Sequence, residues 1–95
     1  MAKHVASRSY RSLERIVKGF ANHRRLEILD LLTKEPELTV ADISERLKIG
    51  YVNTADHLNK MAIAGLVLKR GDGPYVRHKL TSCAEAILAF CRKLE

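Results

Sequence analysis

The chain has no tryptophan, only three tyrosines and two phenylalanines, two cysteines and two prolines in 95 residues. Each scarcity excludes something. Cys83 and Cys91, close together near the C-terminus, are a poor basis for the disulfide framework on which small secreted domains depend. With no secretory signal they read as reduced small hydrophobes, and pairing across two copies of the chain is the other option. They stand eight residues apart on one predicted helix, about two turns, too far to grip one metal ion together. No apolar run approaches the roughly 20 residues of a membrane span. Met1 to Val5 carry no apolar core of signal-peptide length, so a cytoplasmic location with no membrane partner is expected. The four histidines, His4, His23, His57 and His78, lack the spacing of a zinc protease, and the five glycines form no phosphate-cradling loop. An enzyme is therefore not expected, nor a cofactor. The length suits one domain with a single modest core.

What is plentiful is positive charge. The formal balance is +6, which suits a polyanion, and its distribution is uneven. Residues 1–34 carry eight Lys or Arg against three acids, residues 35–68 three against five, and residues 69–95 six against three. The middle third is thus the acidic one. Attraction to phosphate would have to come from its flanks, through Lys3, Arg8, Arg11, Arg24, Arg25, Lys69, Arg70, Arg77 and Lys79. For Arg8, Arg11, Arg15 and Lys18 simple solubilisation is an equal explanation.

The periodicity assigns the elements. A helix is predicted over about residues 8–20, starting after Ser7 or Ser9 and carrying Tyr10, Leu13, Ile16, Val17 and Phe20 as a stripe that needs a partner. Asn22 caps a second helix running to about Thr33, the most apolar element, with Leu26, Ile28, Leu29, Leu31 and Leu32. Residues 39–65 then read as two short helices joined by a tight turn, a helix-turn-helix. Thr39 and Asp42 form a capping box ahead of Val40, Ile43 and Leu47; Lys48-Ile49-Gly50 breaks the helix. The next helix buries Thr54, Leu58, Met61 and Ala62, stops at Gly65 and presents Val52, Asp56, Asn59, Lys60 and Ile63 outward. A presented helix is what a major-groove reader needs.

Residues 66–80 follow as a hairpin. Leu66 to Arg70 and Tyr75 to Leu80 are strand-like runs around Gly71-Asp72-Gly73-Pro74, where each glycine is expected to supply a positive φ. A helix-turn-helix followed by a basic hairpin is the order of a winged helix. Thr81 or Ser82 caps a last helix, to about residue 94, that is apolar nearly all round from Ala84 to Cys91 and so needs cover on a second face. Together with the N-terminal stripe this predicts a homodimer built on Tyr10, Leu13, Val17, Phe20, Ile87, Leu88 and Cys91. Mutual cover of the two terminal helices within one chain is the alternative.

Gly19 to Leu32, GFANHRRLEILDLL, resembles the opening of ArsR-type winged-helix repressors, the arsenic-repressor-like family of small prokaryotic transcription factors. Glu37-Leu38-Thr39-Val40-Ala41-Asp42-Ile43, the pair His57-Leu58 and the stop Ala64-Gly65-Leu66-Val67 follow in the family's order, so the resemblance covers about residues 19–81. It implies a dimeric regulator acting on duplex DNA. Two departures stand out. Metal-sensing members carry Cys-x-Cys where this chain has Thr39 and Ala41, or Asp and His on the last helix, where this chain has no His beyond His78; no metal is expected by either route. In place of the family's polar run before the Leu stands Gly50-Tyr51-Val52-Asn53-Thr54-Ala55-Asp56-His57.

The predicted fold is therefore mainly helical with a β-hairpin wing, and the predicted function is sequence-specific binding of double-stranded DNA as a homodimeric regulator. Asn53 and Asn59 can read adenine edges, Val52 and Ala55 a thymine methyl, Asp56 a cytosine amine, while Tyr51 can reach a phosphate and Lys60 shares their face. Lys69, Arg70, Arg77, Lys79, Arg24 and Arg25 are the expected backbone contacts. Asp56 also repels phosphate, and His57, nearer the buried side, is expected to pack and hydrogen-bond rather than read. The alternatives are a winged helix used for protein–protein assembly, and a binder of nucleic acid without sequence preference, architectural or on RNA.

Overall fold

A computed structural model describes residues 9–95. Lys3, His4 and Arg8, and the first residues of the predicted N-terminal helix, lie outside the described residues. Five helices and one hairpin follow in order: α1 (Tyr10–Phe20), α2 (His23–Lys34), α3 (Val40–Leu47), α4 (Tyr51–Ile63), β1 (Val67–Asp72), β2 (Tyr75–Leu80) and α5 (Ser82–Arg92). The caps are local side-chain bonds. Ser9, Asn22, Thr39 and Thr81 each accept from a first-turn backbone N–H of the helix they open, and Asp42 returns the bond to Thr39 N at 3.1 Å. That bond from the Thr39 N–H holds the Asp42 carboxyl below the usual carboxylate range. Gly65, at φ +79, closes α4 in a Schellman arrangement, with Leu66 N–H on Met61 O and Gly65 N–H on Ala62 O.

The turns add detail to the sequence reading and correct it at the wing tip. The left-handed residue of the helix-turn-helix is Lys48, at φ 57, while Gly50 is the N-cap of α4 at φ −58. The first strand extends to Asp72, so Gly71 pairs with Val76 inside the ladder, and only Gly73 has a positive φ in a two-residue loop with Pro74. The hairpin also has a third partner: Leu38 bridges His78, with His78 N–H on Leu38 O and Glu37 N–H on His78 O.

The core is one cluster around α2, with Ile28, Leu29, Ile43, Leu58, Met61, Leu66 and Ala84 fully buried. α1 packs on α2 and α4, and α5 on α2 and β2. Leu88, expected at a dimer interface, is instead 8% exposed within this chain's own core, and Phe20 and Ile87 also pack against it. The reason is that α5 turns its Ala84–Leu88 face onto α2 and β2, leaving Phe90, and Leu94 in the turn after the helix, outward. On α1, Tyr10, Leu13 and Val17 stay exposed. Cys91 is half-buried and, like Cys83, a free thiol.

His78 is buried at the base of the wing, and its Nδ1–H donates to Leu38 O at 2.9 Å. Burial pushes the imidazole below its ordinary 6.5, the Leu38 carbonyl opposes this in part, and Lys69 adds to the lowering. A group depressed on folding takes its proton first in the unfolded chain, so its contribution is fully present above the unfolded value and lost as pH falls through the folded one. The urea midpoint is expected to hold steady above about pH 7.5 and fall below about pH 6.5. The gap between pH 7.5 and pH 5 should narrow in His78→Gln; a gap of wild-type size would assign the dependence elsewhere.

Candidate nucleic-acid interface

The reading surface is built on α4. Thr54, Leu58 and Met61 are fully buried, which turns Val52, Asn53, Asp56, Asn59, Lys60 and Ile63 outward; Val52 is 79% and Ile63 87% exposed. Ala55, expected to touch a base, is only half-exposed. Tyr51 opens the helix and is exposed, and Gly50 offers no side-chain cap, so the first-turn N–H groups of α4 remain available to an outside acceptor. A groove of about 310 Å³ runs beside this end, between Thr39 and Ala41 on one side and Pro74 and Tyr75 of the wing tip on the other.

The charges on this surface are more engaged than the sequence suggests. Asp56 pairs with Lys60 one turn on, at 3.0 Å, so the acid expected to repel phosphate is offset locally. Asn59 Oδ1 accepts from Lys69 Nζ, tying the reading face to the wing. Arg70 donates through Nε and Nη2 to Glu37 Oε1, at 3.0 and 2.6 Å. Arg77 pairs with Asp72 at 2.7 Å, holding that carboxyl below its usual range; its Nη1–H donates to Glu37 O and its guanidinium lies 5.7 Å from the Tyr75 ring. Glu37 sits at φ 68 and clips the wing to the α2–α3 connection through its amide, carbonyl and carboxylate. These pairs are mostly solvent-exposed and screened by water, so a phosphate can displace them. Lys79 is exposed on β2.

Arg24 and Arg25 part company. Arg24 lies on the surface beside Glu27, at 3.0 Å. Arg25, expected on the DNA backbone, turns inward: its Nη1–H donates to Lys18 O at 3.0 Å and its Nε–H to His57 Nδ1 at 3.1 Å. His57 is half-buried and makes a hydrogen bond, as its position on the helix suggested. Burial first, then Arg25, pushes its imidazole below the ordinary range. The sequence carries no local signal for this pair, because its members are 32 residues apart. Among the described residues no three His, Cys, Asp or Glu side chains are grouped to hold a metal ion, and no helix is long and apolar enough to cross a membrane.

A helix held outward by a helix-turn-helix, with a basic two-stranded wing tied to its side, defines the winged-helix class of DNA-binding folds. Residues 22–69 match the profile of the bacterial regulatory proteins of the arsR family, and the chain belongs to that family. It is 36% identical over 67 residues to the transcriptional activator HlyU of Vibrio cholerae serotype O1, an overlap of 70% of this chain and 61% of that protein. The chain therefore spans less than two thirds of that relative. The solved structure of HlyU from Vibrio cholerae superposes with a TM-score of 0.79 at 28% identity, over 93% of this chain and 96% of the other. A homodimeric winged helix-turn-helix DNA-binding domain from Mycobacterium bovis, a possible ArsR-family regulator, gives 0.82 at 25% identity, over 99% of this chain and 89% of the other. An antimony-specific transcriptional repressor shares the fold, with a TM-score of 0.79 at 18% identity.

Proposed function

We propose that the chain is a cytoplasmic regulator that binds double-stranded DNA as a homodimer, each copy laying α4 in the major groove of one half-site with the wing on the flanking backbone. The observation that carries this reading is the outward row of Val52, Asn53, Asp56, Asn59 and Lys60, flanked on one side by the groove under Tyr75 and bonded to the wing through Lys69. Tyr51, Lys69, Arg70, Arg77, Lys79 and Arg24 take phosphates; Asn53 is the strongest candidate to read a base, since Asn59 must first exchange its bond to Lys69. With Thr39 and Ala41 in place of thiolates, the reading includes no resident metal.

Selection of bound sequences from a random duplex library should return a roughly two-fold-symmetric site. Arg70→Ala with Arg77→Ala should weaken binding to every duplex alike and make the salt dependence shallower by about two phosphate contacts. Unchanged affinity and slope would take the wing off the backbone. A second reading, as a protein-binding winged helix, is favoured by the exposed Val52 and Ile63 on an acidic segment. A library that returns no preferred duplex at low salt would favour it.

A further inference from the structure

We propose that Arg25 and His57 form a strut that sets the angle of α4, so that Arg25 governs discrimination between duplex sequences and supplies no phosphate contact of its own. The inference rests on the DNA-reading function proposed above. Buried Thr54, Leu58 and Met61 fix the depth of α4 and which face it turns outward, but a packed face tolerates small changes of angle better than a hydrogen bond does. Directional bonds are what can fix the fine angle. Among the described residues the bond from the helical scaffold is that between Arg25 and His57, while Asn59 is held from the wing by Lys69.

The guanidinium suits the task because its donors sit in a rigid planar fork. One arm, Nε–H, meets His57 Nδ1 at 3.1 Å; another, Nη1–H, meets Lys18 O in the last turn of α1 at 3.0 Å. A single side chain on α2 thus joins α1, α2 and α4. For the bond to exist Nδ1 must be unprotonated, and the surroundings favour that: burial, Arg25, Lys60 and Arg24 all disfavour the imidazolium, with Asp56 alone opposing. His57 lies next to Asp56 and two residues from Asn59, so a rotation of the helix at this point re-aims the outward row. Hydrogen bonds to base edges weaken steeply with misalignment, whereas flexible side chains on phosphates tolerate it. Losing the strut should therefore cost selectivity and leave general affinity intact.

Arg25→Lys separates the two roles. Lysine keeps the charge, so a phosphate contact would largely survive, but it cannot donate in two fixed directions at once. For the duplex that the wild-type chain selects from a random library, Arg25→Lys and Arg25→Ala are each expected to lose about tenfold or more. Binding to a mixed-sequence duplex should stay within about twofold, with no change in salt slope. His57→Phe should reproduce that loss. His57→Asn, whose amide oxygen can replace Nδ1 as acceptor, should retain most selectivity, and Arg25→Lys combined with His57→Phe should be no worse than either alone. Selectivity intact in Arg25→Lys, or Arg25→Ala weakening all duplexes alike with a slope shallower by about one, would overturn the strut and make Arg25 a phosphate contact. A wild-type chain that selects no duplex would overturn the DNA reading itself and the strut with it, a result no variant is needed to see.

Discussion

Gly19→Ala is expected to destabilise the chain by about 1–3 kcal/mol, although alanine is the better helix former by about 1 kcal/mol in a helix interior. Gly19 is buried in α1 where that helix crosses the end of α4. A Cβ built there lies 2.4 Å from Ala64 Cβ and 3.4 Å from Leu66 Cδ1. The first distance is well inside contact between two carbons, and both atoms are short and stiffly attached, so one helix must move. The melting temperature should fall about 4–8 °C for each kcal/mol in a domain of this size. The effect should reach function too, because the same crossing places α1 against the helix that reads. Exchanging the methyl, Gly19→Ala with Ala64→Gly, should recover most of the loss, since Ala64 is the C-cap of α4 and adopts an ordinary right-handed conformation. A single variant that melts at or above the wild-type temperature would show that the crossing is looser than this packing implies.

The parts legible in the sequence are those decided within a few residues. Ser9, Asn22, Thr39 and Thr81 cap helices because each side chain reaches an N–H two or three positions on, and Gly65 ends α4 because the Schellman turn needs a left-handed residue there. Burial of Ile43, Leu58 and Met61 follows from helical period alone. What the sequence hid is set by distant partners. Arg25 finds His57 across 32 residues, and Leu38 finds His78 across 40. Glu37 and Asp72 occupy the wing arginines, which in the sequence read as free cations. Lys48 adopts the left-handed turn although a glycine stands two residues on, because that geometry brings the Ile49 N–H onto Ser44 O. Leu88 lies in the chain's own core for a related reason: an apolar run says that several faces are covered but not which one the chain covers itself.

That correction changes how the dimer should be tested. A charge at Leu88 would be buried in this chain's own core and unfold it, giving no information about assembly. Tyr10, Leu13 and Val17, spaced on one stripe of α1, are 90%, 41% and 50% exposed, and Phe90 of α5 and Leu94 just beyond it are 58% and 69% exposed. Substituting exposed positions costs a lone chain little. Leu13→Glu with Val17→Glu is therefore expected to leave the far-UV spectrum and the fold intact while converting the proposed dimer to monomer in sedimentation. In an isologous interface each substitution enters twice, and each unpaired carboxylate buried there costs several kcal/mol. Affinity for a two-half-site duplex should drop by about 10²-fold or more, because two reading helices on one rigid dimer act at high effective concentration and a monomer loses that advantage. Affinity for a single half-site should change far less, and that contrast separates lost assembly from a damaged reading helix. Phe90→Glu alone should weaken the dimer in the same direction. A wild-type chain that sediments as a monomer at about 50 μM, well above the micromolar range of weak dimers, or a doubly substituted chain that still sediments as a dimer, would remove α1 from the interface while leaving the winged helix as it stands.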